Sequence, residues 1–131
     1  MKKYLILLIP YLTFFFTPIL LILFTTGFLV ATDLVTGVFA ARKRGEAIDS
    51  KKMARSISKI IFYFIGIILS RLMEIAFFPQ IPVANITAGY ICLVEFQSNL
   101  ENIRTITGLN LGQAIIDKIN TIKDNTPKKT P

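Results

Sequence analysis

Residues 4–41 read YLILLIPYLTFFFTPILLILFTTGFLVATDLVTGVFAA, 38 residues whose only charge is Asp33. A soluble helix carries a polar stripe, and Tyr4–Thr32 has none. A bilayer crossing needs roughly 20 apolar residues for a core of about 30 Å. As one straight helix the run would extend about 57 Å, more than a single crossing requires. Pro10 and Pro18 are expected to break or kink it. The best crossing is 18–41, with Pro18 near a helix start. That leaves 4–16 as an apolar lead-in with three open placements: at the interface, re-entrant, or as a thin fourth crossing. Lys2 and Lys3 ahead of the run suggest a signal peptide. The run exceeds the roughly 7–15 residues of such a segment and no small-x-small site follows, so the segment is expected to be retained.

Two more apolar runs follow. Ile60–Phe78 has only Arg71 and Glu74 as charges, and Val83–Val94 has none, its apolar character continuing past Glu95 toward Leu100. These predict helices at 53–78 and 83–101. The expected fold is an all-α membrane protein with three core transmembrane helices, a short N-terminal apolar segment and a C-terminal amphipathic helix. The transmembrane domain is expected over 1–108, a cytoplasmic amphipathic helix over 109–124 and a disordered tail over 125–131. In the amphipathic segment Leu111, Ile115, Ile119 and Ile122 share one face.

Charge position orients these crossings. The chain has 131 residues, 53% of them apolar, and a net charge of +7. Arg42, Lys43, Arg44, Lys51, Lys52, Arg55 and Lys59 crowd the first connection against Glu46 and Asp49. Such a short basic loop stays cytoplasmic, and Arg42, Lys43, Arg44, Lys51, Lys52 and Arg55 are candidates for holding anionic lipid headgroups. Asp49 or Ser50 can cap the helix that follows. The second connection, Pro79-Gln80-Ile81-Pro82, is uncharged and suits the opposite side. The C-terminus then lies inside, in keeping with Lys118, Lys123, Lys128 and Lys129. With three crossings Lys2 and Lys3 lie outside; a fourth would bring them in.

Several classes are excluded. There is no histidine and one cysteine, Cys92, so no internal disulfide, zinc-finger spacing or imidazole catalysis exists. Asp33, Glu74, Glu95 and Glu101 sit at different depths, with no phosphate loop or nucleophile motif. Neither enzyme activity nor a cofactor or metal is expected. No aromatic or base-reading pattern accompanies the basic residues, so nucleic acid is not an expected partner.

Ionisable groups at membrane depth cost about 2.5–3.5 kcal/mol and face protein or water. Asp33, Thr36, Gly37 and Ala40 share one face of the first crossing, with Gly27 and Ala31 beside it. In the second, Tyr63, Ser70 and Glu74 share a face flanked by Arg71. In the third, Asn85, Ala88, Gly89, Cys92, Glu95, Asn99 and Asn102 form one stripe. Two readings stay open. The stripes pack helices together, or Asp33, Ser70, Arg71, Glu74, Asn85, Glu95 and Asn99 form a pore-lining or subunit-interface face in a homo-oligomer within the lipid bilayer. Three helices carry too little polar surface for a channel through one subunit.

The order of these motifs resembles a phage holin family that includes holin-like proteins of toxin-secretion loci. Asp33-Leu34-Val35-Thr36-Gly37 late in the first crossing is followed by a basic stretch, a Ser50-Lys51-Lys52 loop and Lys59 opening the next apolar helix. Glu95, Glu101-Asn102 and Gly108 are similar to the family's C-terminal signature. The resemblance implies a protein that oligomerises in the bacterial cytoplasmic membrane and permeabilises it. The lesion would release or activate a cell-wall hydrolase, or release a toxin; direct contact with either is not implied. A membrane scaffold recruiting partners through its C-terminal helix and a small oligomeric ion channel are the alternatives.

Overall fold

The computed structural model describes residues 2–48 and 50–125, apart from the side chains of 2–5, 7, 52, 124 and 125. The expected Asp49 cap, the side chain of Lys52 and residues 126–131 of the expected tail lie outside the described residues. Four helices follow in order: α1 (Lys2–Lys43), α2 (Ser50–Phe77), α3 (Val83–Thr107) and α4 (Leu111–Asn125). No strand occurs among the described residues. α1 and α2 are each long and apolar enough to cross a membrane.

α1 corrects the expectation of a separate lead-in at 4–16. It runs unbroken through Pro10 and Pro18. Each proline removes one helical N–H, the partner of the carbonyl four residues earlier, yet helices in apolar surroundings tolerate this loss. Pro18 and Leu21 lie level with Asn85 in the first turns of α3, where they line one groove. The residues before Pro18 therefore project about 24 Å past that level at 1.5 Å each. Their Leu8, Ile9, Tyr11, Leu12 and Phe14 are exposed.

Two glycines end helices. Gly45 (φ 73°) closes α1, with Glu46 N–H donating to Ala41 O and Gly45 N–H to Arg42 O, both at 3.0 Å. Gly108 (φ 78°) closes α3 by donating to Arg104 O at 2.8 Å. α3 thus continues to Thr107 instead of stopping at 101, because its first left-handed residue is Gly108. α4 starts at Leu111, with Asn110 Oδ1 accepting the Gln113 N–H at 3.1 Å.

The helices run alternately up and down, so α1 and α3 are parallel. α3 packs against both α1 and α2, which also touch each other. Lys43 donates to Ile106 O, placing the ends of α1 and α3 together beside the start of α2. Arg42, Lys43, Arg44, Lys51 and Arg55 therefore gather at one end of the bundle. The core is narrow: Ile19, Val30, Ala40, Ala41, Ile67, Ala84 and Ala88 are buried, and so are Thr26, Glu95 and Asn99. Outside, phenylalanines such as Phe14, Phe24, Phe28, Phe62 and Phe77 are exposed. An apolar exterior around polar buried groups is the arrangement a bilayer imposes.

Candidate functional site

The buried face of α3 carries Ala84, Ala88, Glu95, Asn99 and Asn102 within about 60° of circumference at 100° per residue. The alanines let the helices approach near the α2–α3 turn. The polar residues sit toward the basic end and meet both other helices.

Glu95 is the centre. Its side chain is 1% exposed. Lys59 Nζ from α2 lies 2.8 Å from Oε1 and 2.9 Å from Oε2, and Tyr63 donates its hydroxyl to Oε1 at 2.8 Å. The same Nζ stands 3.7 Å from Asp33 Oδ2 of α1. Asn102 donates to Asp33 Oδ1 at 3.0 Å and to Thr36 Oγ1 at 3.2 Å. Asn99 donates to Leu29 O at 3.1 Å and to Glu95 O at 2.8 Å, and Thr36 donates to Asn99 Oδ1 at 3.3 Å. One ionic and amide network thus joins three helices. A cavity of about 230 Å³ reaches its Asp33 and Asn102 edge, with Arg44 and Met53 in the lining.

A second polar group occupies the other end. Arg71 pairs with Glu74 one turn on, and Glu74 Oε2 accepts the Ala84 N–H at 3.1 Å. That bond caps α3, whose Pro82 has no capping side chain. Ser70 and Thr87 share a hydrogen bond at 2.8 Å. Arg71 Nε is buried without a partner. Between the two polar groups Ile67 is fully buried, and Thr26 Oγ1 meets Cys92 Sγ at 3.5 Å.

A family model described as the bacteriophage holin family matches residues 10–124. The chain belongs to the bacteriophage holin family. No curated protein and no solved structure matches it. Of the residues singled out in this holin-family sequence, Asp33, Thr36, Lys59, Glu95, Asn99 and Asn102 come together in one network. Gly37 lies against it, its position facing Asn102 Nδ2 at 3.6 Å. Ser70, Arg71 and Glu74 form the second group. Glu101 is exposed and joins neither, and Gly108 serves as the α3 cap. Asn85 and Gly89 diverge from their stripe: they are exposed toward the groove shared with Pro18, Leu21 and Thr25. A Cβ added at Gly27 would stand 3.3 Å from Phe64 within the subunit, whereas one added at Gly89 would meet nothing within 4 Å.

Tyr63 as a partner of Glu95, and Glu74 as the cap of α3, were not evident from the sequence. Tyr63 lies four residues after Lys59, one helical turn on the same face, which is the signal that would have found it. The Glu74 cap depends on a tertiary fold-back with no local signature.

Proposed function

We propose that this holin-family chain oligomerises in the bacterial cytoplasmic membrane and permeabilises it, releasing or activating a cell-wall hydrolase or releasing a toxin. The observation that carries the reading is the Asp33–Lys59–Glu95 network, ionic groups at membrane depth satisfied inside one subunit with an apolar exterior. The described arrangement is then the sealed state. Permeation follows when subunits associate and the helices separate, so that Asp33, Glu95, Asn99 and the Ser70–Arg71–Glu74 group line water between several copies. Gly89 and Asn85, open on the α1–α3 groove, are the contact residues between copies; Gly27 and Gly37 serve the subunit itself. In this reading α1, α2 and α3 each cross the membrane, and the density of basic residues between α1 and α2 favours a cytoplasmic basic end and α4.

The test is inducible expression in a bacterium, following membrane potential and leakage of a cytoplasmic marker protein. Abrupt collapse after a delay, with marker release, is the expected result. Collapse without marker release would replace this reading with a small-pore channel. A sealed membrane full of inserted protein would replace it with a scaffold.

A further inference from the structure

α4 carries Leu111, Ile115 and Ile119 exposed along one side. Ile122 continues the same stripe at helical spacing. Among the described residues α4 touches no helix but α3, near the α4 start, where a Cβ added at Gly112 would stand 3.8 Å from Leu100 Cδ1. At 15 residues α4 is about 22 Å long, too short to cross a bilayer.

Charge is distributed around this stripe in a particular way. At 100° per residue the four apolar positions cover about 80° of circumference. Lys118 falls about 20° outside one border and Lys123 about 40° outside the other, with Ile116, also exposed, about 20° further on. Asp117 falls about 160° from its centre, among the polar positions. There Asp117 accepts the Gln113 amide at 2.8 Å, held on the far side by a residue one turn earlier. Lysines bordering an apolar face can bury their methylenes and raise their ammonium groups to phosphates. A protein groove would have no such requirement on both borders. The Gly108 cap turns the chain off α3 at the basic end, beside Lys43 and Arg44, so α4 begins where the bundle meets the headgroups.

We infer that α4 lies flat in the headgroup layer of an anionic leaflet, with Leu111, Ile115 and Ile119 in the acyl boundary and Lys118 and Lys123 on lipid phosphates. This rests on the membrane placement of the bundle proposed above and not on permeabilisation.

The full chain in a Cys92→Ser background, reconstituted in phosphatidylcholine–phosphatidylglycerol vesicles, tests it. Fluorophores are attached at Ile115→Cys, Ile119→Cys, Asp117→Cys and, as a bundle reference, Phe62→Cys. Lipid-borne nitroxide should quench 115 and 119 several-fold more than 117. Replacing Lys118 or Lys123 with glutamine should weaken the surface-bound population about fivefold per charge. Labels at 115 and 119 as open to aqueous iodide as 117 would overturn the inference. Labels shielded from both quenchers would overturn it in favour of a protein partner or a second copy. Failure of lipid quenching at Phe62→Cys as well would overturn the membrane reading beneath it, whereas quenching there confines the failure to α4.

Discussion

Lys59 and Glu95, 36 residues apart, form an ion pair between α2 and α3: one ammonium within 2.9 Å of both carboxylate oxygens. Glu95 is 1% exposed, so its charge has no water to fall back on. Removing one partner of such a pair costs about 3–5 kcal/mol, while replacing both with apolar residues is often neutral. Lys59→Met alone should therefore destabilise the bundle strongly. Lys59→Met with Glu95→Met should recover much of the loss. Denaturant titration of helicity in bicelles measures both, and a double variant as weak as the single would refute the pairing.

Asn99 ties α3 to α1 through Leu29 O and Thr36. Asn99→Leu should cost about 0.6–1.7 kcal/mol, the range for hydrogen bonds between membrane helices. Thr36→Val should cost less, since Thr36 also donates within its own helix to Thr32 O. The same bicelle titration ranks them.

Glu74 serves Arg71 and the α3 N-terminus together. Glu74→Ala should strand a half-buried guanidinium and uncap α3, at about 3–5 kcal/mol. Adding Arg71→Leu should return part of that, the cap remaining lost. Hydrogen exchange at Ala84 and its neighbours should stay fast in both variants.

Two glycines should separate packing within a subunit from packing between subunits. Gly27→Leu collides with Phe64 and should destabilise the monomer, with relief from Phe64→Ala. Gly89→Leu meets open space and should leave monomer stability within about 0.5 kcal/mol. It should still alter cross-linking between copies and the onset of membrane collapse.

The helical membrane fold was legible because apolar runs of crossing length have few other meanings. Asp33 and Glu95 could be singled out one by one, since each is a charge costly at its depth, and Lys59 as the last basic residue of the first connection and the lysine opening the next apolar helix. Their convergence could not be read, because it depends on how α1 and α3 align in parallel. Pro10 and Pro18 were expected to break or kink the first run; they do not break it, since an apolar setting favours closing every helical bond that remains. The stripe on α3 was read as one face, but Asn85 and Gly89 lie about 40–80° beyond its buried residues at 100° per residue.

The three-helix origin of the ionic network has a consequence for synthesis. Asp33 and Lys59 emerge from the ribosome before Glu95, so the acid nearest Lys59 in the finished bundle, 2.8 Å away against 3.7 Å for Asp33, is the last of the three to be made. Each newly inserted chain thus passes through an interval in which its lysine waits for an acid not yet translated. Arrival of α3 ends that interval, so the third helix acts as the keystone that completes the ionic network of the bundle.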